Sequence, residues 1–177
     1  MIGIRRMDPP EIVRIAEINR SEHVTTRYSY ENGKLRAEQV DWHVPRWRRD
    51  GGDFSVEALI EQFAPVLGDG GVMLGAFEGS LLVGFAILRY RLTERQAQLV
   101  ALYVSRGYRR QGIATRLTSR IARLAKADGA EELYVSVTPS ESAVGFYMSH
   151  GFRLAEAVND ALYALEPEDI HMIRWLG

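Results

Sequence analysis

Apolar positions along this chain alternate, lapse and then recur at helical spacing, and the order of those patterns predicts its elements. Ile2 to Met7 reads as a short strand. Asp8-Pro9-Pro10 suits the start of a helix, with Asp as N-cap and prolines where a missing N–H costs nothing. Ile12, Ile15 and Ala16 follow at helical spacing. Between about Ser21 and Asp53 the period is lost, in a stretch that holds Tyr28, Tyr30, Trp42 and Trp47 beside His23 and His43. Phe54 to Leu67 is helical again through Val56, Leu59, Ile60 and Phe63, and Gly68-Asp69-Gly70-Gly71 closes it.

The second half is more regular. Val72 to Phe77, the turn Glu78-Gly79-Ser80 and Leu81 to Tyr90 predict a hairpin, and Gln96 to Ser105 a third antiparallel strand. A long amphipathic helix follows Gly112, with Ile113, Leu117, Ile121 and Leu124 on one face and Arg116, Arg120 and Arg123 on another. Gly129 ends it as a C-cap would. Leu133 to Val137 is a further strand, Ala143 to Tyr147 a further helix, and Phe152 to Ala157 and Ile170 to Trp175 are closing strands. The predicted order is β-α-α-β-β-β-α-β-α-β-β. Short turns and one helical crossover imply an α/β fold of the α+β kind, a mixed and mostly antiparallel central sheet flanked by helices.

Composition narrows the function. At 177 residues the chain is expected to form one domain with a real core. A net charge of −1 gives no general attraction to nucleic acid or acidic membrane. The 0 cysteines exclude disulfides, thiolate metal sites and a cysteine nucleophile together, and no metal is expected. Without a signal-like N-terminus or a run of ~18 apolar residues, the expectation is a cytoplasmic protein off the membrane.

The most informative stretch is Val104-Ser105-Arg106-Gly107-Tyr108-Arg109-Arg110-Gln111-Gly112-Ile113-Ala114. A strand that feeds a glycine-containing turn into a helix N-terminus presents several unpaired backbone N–H groups at one place, an arrangement that binds phosphate. No Gly-Lys-Ser/Thr follows, so this is not a Walker loop, and G-x-G-x-x-G spacing is absent. Taken alone it could equally be a solvent-exposed connection. Thr138 to Phe152, taken alone, could be a capped helix with Tyr147 as a core aromatic.

Taken together, in this order and separation, the two segments resemble the GNAT superfamily of acetyl-coenzyme A-dependent N-acetyltransferases. The family's pyrophosphate loop, Q/R-x-x-G-x-G/A, is matched by Arg109-x-x-Gly112-x-Ala114, with Tyr108 before it. Its later signature is matched by Phe146-Tyr147 and Gly151-Phe152. The resemblance is good from Val72 to Phe152 and covers the N-terminal third by element order only. It implies one N-acetyltransferase domain over residues 1–177, with 20–53 as the variable acceptor-binding segment. It further implies that the backbone of Leu102, Tyr103 and Val104 pairs with the pantetheine arm of acetyl-coenzyme A. The turn formed by Arg109, Arg110, Gln111, Gly112, Ile113, Ala114 and Thr115 would hold the pyrophosphate. Tyr147 would serve the departing sulfur. Ser140 stands where the family often has a cofactor-contacting Asn, and Val135 where its N-terminal acetylases usually carry a basic Glu.

The implied reaction is attack of a free amine on a thioester. An amine of pKa about 10.4 costs roughly 4.6 kcal/mol to deprotonate at pH 7, so a base or a dehydrating pocket is required. Glu22, Asp41, His23 and His43 are the titratable candidates in the variable segment. Without a cysteine, direct transfer in a ternary complex is expected rather than an acetyl-cysteine relay. Residues 20–53 hold seven bases and six acids, a net of +1, which does not favour a polycationic acceptor. The acceptor is expected to be a small-molecule or peptide amine, with no nucleic-acid partner; a homodimer is compatible with the sequence. A non-catalytic acyl-coenzyme A-binding module, or transfer of a longer acyl group, is the alternative.

Overall fold

The structure is a computed structural model that describes residues 1–177. Nine strands and four α-helices form in the order β1 (Ile2–Met7), β2 (Glu22–Glu31), β3 (Lys34–Val44), α1 (Val56–Gly68), β4 (Val72–Glu78), β5 (Leu81–Arg89), β6 (Gln96–Val104), α2 (Ile113–Ala127), β7 (Glu132–Val137), α3 (Glu141–Ser149), β8 (Arg153–Leu154), α4 (Asp160–Leu165) and β9 (Ile170–Trp175). Seven strands make one sheet in the order β1-β4-β5-β6-β7-β9-β8, and β2 and β3 form a separate ribbon. Only β6 and β7 run parallel. A mixed, mostly antiparallel sheet flanked by helices is therefore what the chain builds.

Helices cover both faces of the sheet. Val72, Leu74 and Ala76 of β4 point to one face, where they pack with Ile113, Leu117 and Ile121 of α2 and Val144 and Tyr147 of α3. Met73 and Phe77 point to the other, against Ile12 and Ile15, Phe63 and Val66 of α1, and Trp47. A central strand buried on both sides reads as a continuous apolar run, and β4 and β5 do.

Three local expectations are corrected. The N-terminal helix is a 3-10 helix over Pro9–Glu17 rather than an α-helix. Its buried residues Ile12 and Ile15, with Ile18 beyond its end, recur every three positions, the period that a 3-10 helix lines up on one face. The aperiodic stretch after Ser21 is the β2–β3 hairpin, turned at Asn32 (φ 51) and Gly33 (φ 81). Asn-Gly is the preferred pair for a turn that needs two positive φ values. Finally, the strand expected over Phe152 to Ala157 shrinks to Arg153–Leu154, and α4 follows, capped by Asn159 Oδ1 on Leu162 N–H at 3.1 Å.

Arginines of α2 do structural work at the sheet edge. Arg116 donates to Ile2 O at 3.1 Å and Arg120 to Ile4 O at 2.8 Å, tying the helix to β1. Leu117, between them in the chain, is fully buried in the core beneath α2. Leu117→Ala is expected to cost about 2–5 kcal/mol through the cavity it leaves. Urea unfolding would read this as a lower midpoint with an unchanged m-value.

Candidate functional site

The turn between β6 and α2 is built to expose its backbone. A single 3-10 turn, Arg106–Tyr108, leads in, and Tyr108 anchors it by donating from its hydroxyl to Glu78 Oε2 at 2.5 Å. Arg110 (φ 61) and Gly112 (φ 75) then both take left-handed backbone. Helix α2 closes its first turn with Arg116 N–H on Gly112 O at 3.0 Å. No backbone N–H from Arg109 to Thr115 donates to a protein acceptor. These amides, with the positive end of the α2 dipole behind them, are a site for an anionic group.

Two further side chains hold this turn in place. Arg109 donates to three carbonyls: Val104 O at 3.1 Å, Ser21 O at 3.3 Å and Arg20 O at 2.9 Å. Its guanidinium thereby joins the end of β6 to the start of the β2–β3 hairpin, and what Arg109 can offer a ligand is its backbone N–H. Thr115 Oγ1 lies 2.9 Å from His150 Nε2, and His150 Nδ1 lies 2.7 Å from Phe146 O. A carbonyl only accepts, so Nδ1 carries a proton, and Nε2 pairs with the Thr115 hydroxyl. The C-terminal end of α3 is thus bound to the first turn of α2. Gln111 reaches back to Gly107 O at 3.4 Å, and the Ile113 side chain is buried in the core.

Beside the turn the sheet opens. Parallel pairing of β6 with β7 stops after Gln96, Ala97 and Gln98 meet Glu132, Leu133 and Tyr134. A bulge at Val100 shifts the register of β6 on β5 just beyond this point. Gln98 Oε1 is buried there without a partner. Ser105 N–H donates to Val83 O on the β5 side at 2.8 Å. Because backbone groups alternate along a strand, those of Val104 and Leu102 face the opening. Arg109 takes the Val104 carbonyl, which leaves both N–H groups and the Leu102 carbonyl free.

Tyr147 enters from α3. It is buried, packed edge-on against Phe146 and Phe152, yet its hydroxyl hydrogen-bonds to no protein atom. Burial pushes its phenol well above the usual tyrosine range, with the Tyr103 phenol raising it further. It stays a proton-bearing donor at any physiological pH. Ser140 is buried as the N-cap of α3, its Oγ accepting from Ala143 N–H at 3.3 Å, under a bridge between Ser140 and Arg27 of β2. Glu22 Oε1 accepts from Ser142 Oγ at 2.5 Å, and Glu22 Oε2 lies 3.9 Å from Arg109 Nη1, so Glu22 is engaged structurally. Val135 faces the core, as an apolar side chain must.

On the opposite face of the sheet from α2, Tyr103 packs against Trp47 at 4.8 Å and Phe85 at 5.5 Å between ring centroids. Trp47 fills the core there; it is not a ligand platform. A residue that sequence reading missed shares this face. Asp169, just before β9, accepts from Ser136 Oγ at 3.0 Å. Burial, offset by that hydrogen bond and helped by Glu166 and Glu168, raises its carboxyl to about 6. Burial raises the pKa of the Tyr103 phenol, Arg20 opposes the shift, and the charges of Asp169 and Glu166 add to it. Asp169 lines a groove of about 330 Å3 between β2 and the C-terminal segment, with Tyr28, Tyr30, Tyr163, Glu168 and His171. Nothing local in Glu166-Pro167-Glu168-Asp169 marks it; the signal is the pairing of β7 with β9, which brings Ser136 alongside.

The chain matches the Acetyltransferase (GNAT) family over residues 36–152. It is 28% identical over 103 residues to N-alpha-acetyltransferase 50 of Danio rerio, a match covering 56% of this chain and 61% of that protein. Across its fold it is similar to nourseothricin acetyltransferase, with a TM-score of 0.73, 21% identity and 99% of each chain covered. A PaiA N-acetyltransferase from Thermoplasma acidophilum in complex with coenzyme A superposes with a TM-score of 0.64 at 20% identity, again over 99% of each chain. At those identities the two structures speak for the fold, and the family match spans about two thirds of the sequence. With the parted strands and the amide-lined turn of the same region in place, this chain belongs to the GNAT acetyltransferase family.

Proposed function

We propose that this protein is an acetyl-coenzyme A-dependent N-acetyltransferase that passes the acetyl group directly to a primary amine in a ternary complex. The observation that carries the reading is the opening between β6 and β7, flanked by the unpaired amides of Arg109–Thr115 and the unpartnered Tyr147 hydroxyl. The amides take the pyrophosphate, and the pantetheine arm adds to β6 through the free groups of Leu102 and Val104 as a strand would. That places the thioester between Tyr103 on one face and Tyr147 on the other. A backbone N–H of β6 polarises the carbonyl, supplying the donor that the developing oxyanion needs. Tyr147 hydrogen-bonds the departing sulfur. Its raised pKa makes it a stabilising donor to the thiolate rather than a source of a free proton.

The amine arrives from the groove between β2 and the C-terminal segment, so residues 20–53 line the acceptor side. Here Asp169 is the base. Above pH 6 it is ionised, attracts an ammonium group, and accepts the proton that turns acidic as nitrogen bonds to the acetyl carbon. Glu168, paired with Arg27 at 2.6 Å, and Glu166 add negative charge beside it. The local balance at the groove is thus more acidic than residues 20–53 alone imply. Tyr28, Tyr30 and Tyr163 supply aromatic walls, which suits a cationic amine, small or peptidic.

Two variants test this chemistry. Tyr147→Phe is expected to bind coenzyme A as the parent does while kcat falls by about 10²-fold or more. Steady-state thiol release alongside calorimetry reads both quantities. Unchanged rates would take Tyr147 out of the mechanism, and coenzyme A binding without turnover of any amine in the parent protein would mark a non-catalytic binding module. For Asp169, burial lifts the folded-state carboxyl from an ordinary 3.8 to about 6. The folded protein therefore holds that proton more tightly than the unfolded chain. Ionisation costs stability as pH rises through 6, and the cost is absent below about pH 4. Asp169→Asn is expected to be more stable than the parent near pH 7.5, by ~1–3 kcal/mol, with the gap closing toward pH 4. In the same variant kcat/KM should lose the rise through pH 6 shown by the parent. A rise that persists in Asp169→Asn assigns the base elsewhere.

A further inference from the structure

The open end of the β2–β3 hairpin carries three side chains that neither the fold nor the proposed reaction uses. His23 and His43 are directly opposite each other in the antiparallel register. Their rings stack with centroids 4.0 Å apart and planes 6° from parallel. Asp41 lies two residues before His43, and so on the same face of β3. It sits within the β-bulge that shifts the register between Val24 and Thr26, a device that re-aims a side chain. The result is convergence on one point: His23 Nε2 is 2.7 Å and His43 Nε2 is 3.1 Å from the same oxygen, Asp41 Oδ1. All three ligand atoms lie within 4.8 Å of one another, and all three residues are exposed.

We infer that His23, Asp41 and His43 form a surface binding site for a zinc-class divalent cation. Two imidazole nitrogens and a carboxylate oxygen are the donors that suit Zn2+, Ni2+, Co2+ and Cu2+, and do not suit Mg2+ or Ca2+, which prefer oxygen. With metal–ligand distances of about 2.0–2.2 Å, tetrahedral coordination sets neighbouring donors roughly 3.3 Å apart. The observed separations from Asp41 Oδ1 fall a few tenths of an ångström short of that, so the cation enters by a small outward opening of exposed side chains. Three protein ligands leave a position for water.

The surroundings favour a cation that braces the hairpin. Strands of ten and eleven residues are joined at Asn32-Gly33, so the His23–His43 pair stands at the far end from the turn. Just before it, Arg20 and Ser21 give their carbonyls to Arg109. A metal bridge across this pair would close the ribbon where it enters the body of the protein. The inference departs from the expectation, drawn from the lack of cysteine, that the chain holds no metal. It stands independently of the acetyl-transfer reading, since Tyr147, Asp169 and the amides of Arg109–Thr115 have no part in it.

Isothermal titration of the full chain with ZnCl2, and the visible spectrum after addition of CoCl2, provide the test. The expected results are one saturable site per chain, a Co2+ band of low-coordinate type, and no heat from MgCl2. Asp41→Asn is expected to weaken Zn2+ at least about tenfold, and the His23→Ala/His43→Ala pair to abolish the site. Circular dichroism should show both variants folded, as their exposure implies. Zinc should also raise the thermal midpoint of the parent and leave that of the double variant in place. No saturable Zn2+ binding by the parent, or equal binding by parent and double variant, would overturn the inference.

Discussion

The parting of β6 from β7 after three paired residues on each strand is the constraint on which the rest of the molecule turns. Beyond Gln98, the main-chain groups of Leu102 and Val104 are left without a strand partner in the middle of the sheet. These half-buried groups are free to hydrogen-bond an occupant as a strand would. The bulge at Val100 bends β6 away on one side. On the other, β2 lies across the loop between β7 and α3, with Tyr28 N–H on Pro139 O at 2.8 Å.

That opening would be of little use if its rim were loose. Rigidity at the rim comes from contacts remote in sequence: Arg109 to the carbonyls of Arg20 and Ser21, Thr115 to His150, and Tyr108 to Glu78. Each fixes the amide-bearing turn to a different element. Amides held in place before a ligand arrives lose little freedom on binding, which converts more of their interaction into affinity. Arg109 accordingly spends its guanidinium on main-chain carbonyls, where it orients the peptide groups around it.

The two faces of the opening differ in character. Tyr147 and its aromatic neighbours Phe146 and Phe152 make the α3 side dry. The opposite face gathers Tyr103, Asp169 and the charged turn before β9. Burial raises both groups, which leaves a proton-bearing phenol on one side and a carboxylate raised to about 6 on the other.

Periodicity and a few residue types carried much of this. The apolar runs of β4, β5 and β6, the amphipathic face of α2 and the Arg109-x-x-Gly112-x-Ala114 turn are all local, because strand burial, helix packing and left-handed backbone are each dictated by residues close in the chain. The Asn32-Gly33 hairpin escaped the sequence reading, because its exposed strands lack the apolar alternation that announces a half-buried sheet. Asp169 could not be found this way: its raised pKa comes from burial and from Ser136, a residue on another strand. Likewise, His23, Asp41 and His43 become a cluster only once register and bulge are set. Local sequence determined which segments are strands, helices and turns, since those depend on neighbours a few residues away. Which side chains meet, and with what charge, was decided only by tertiary pairing, because burial and Coulomb interactions act through space rather than along the chain.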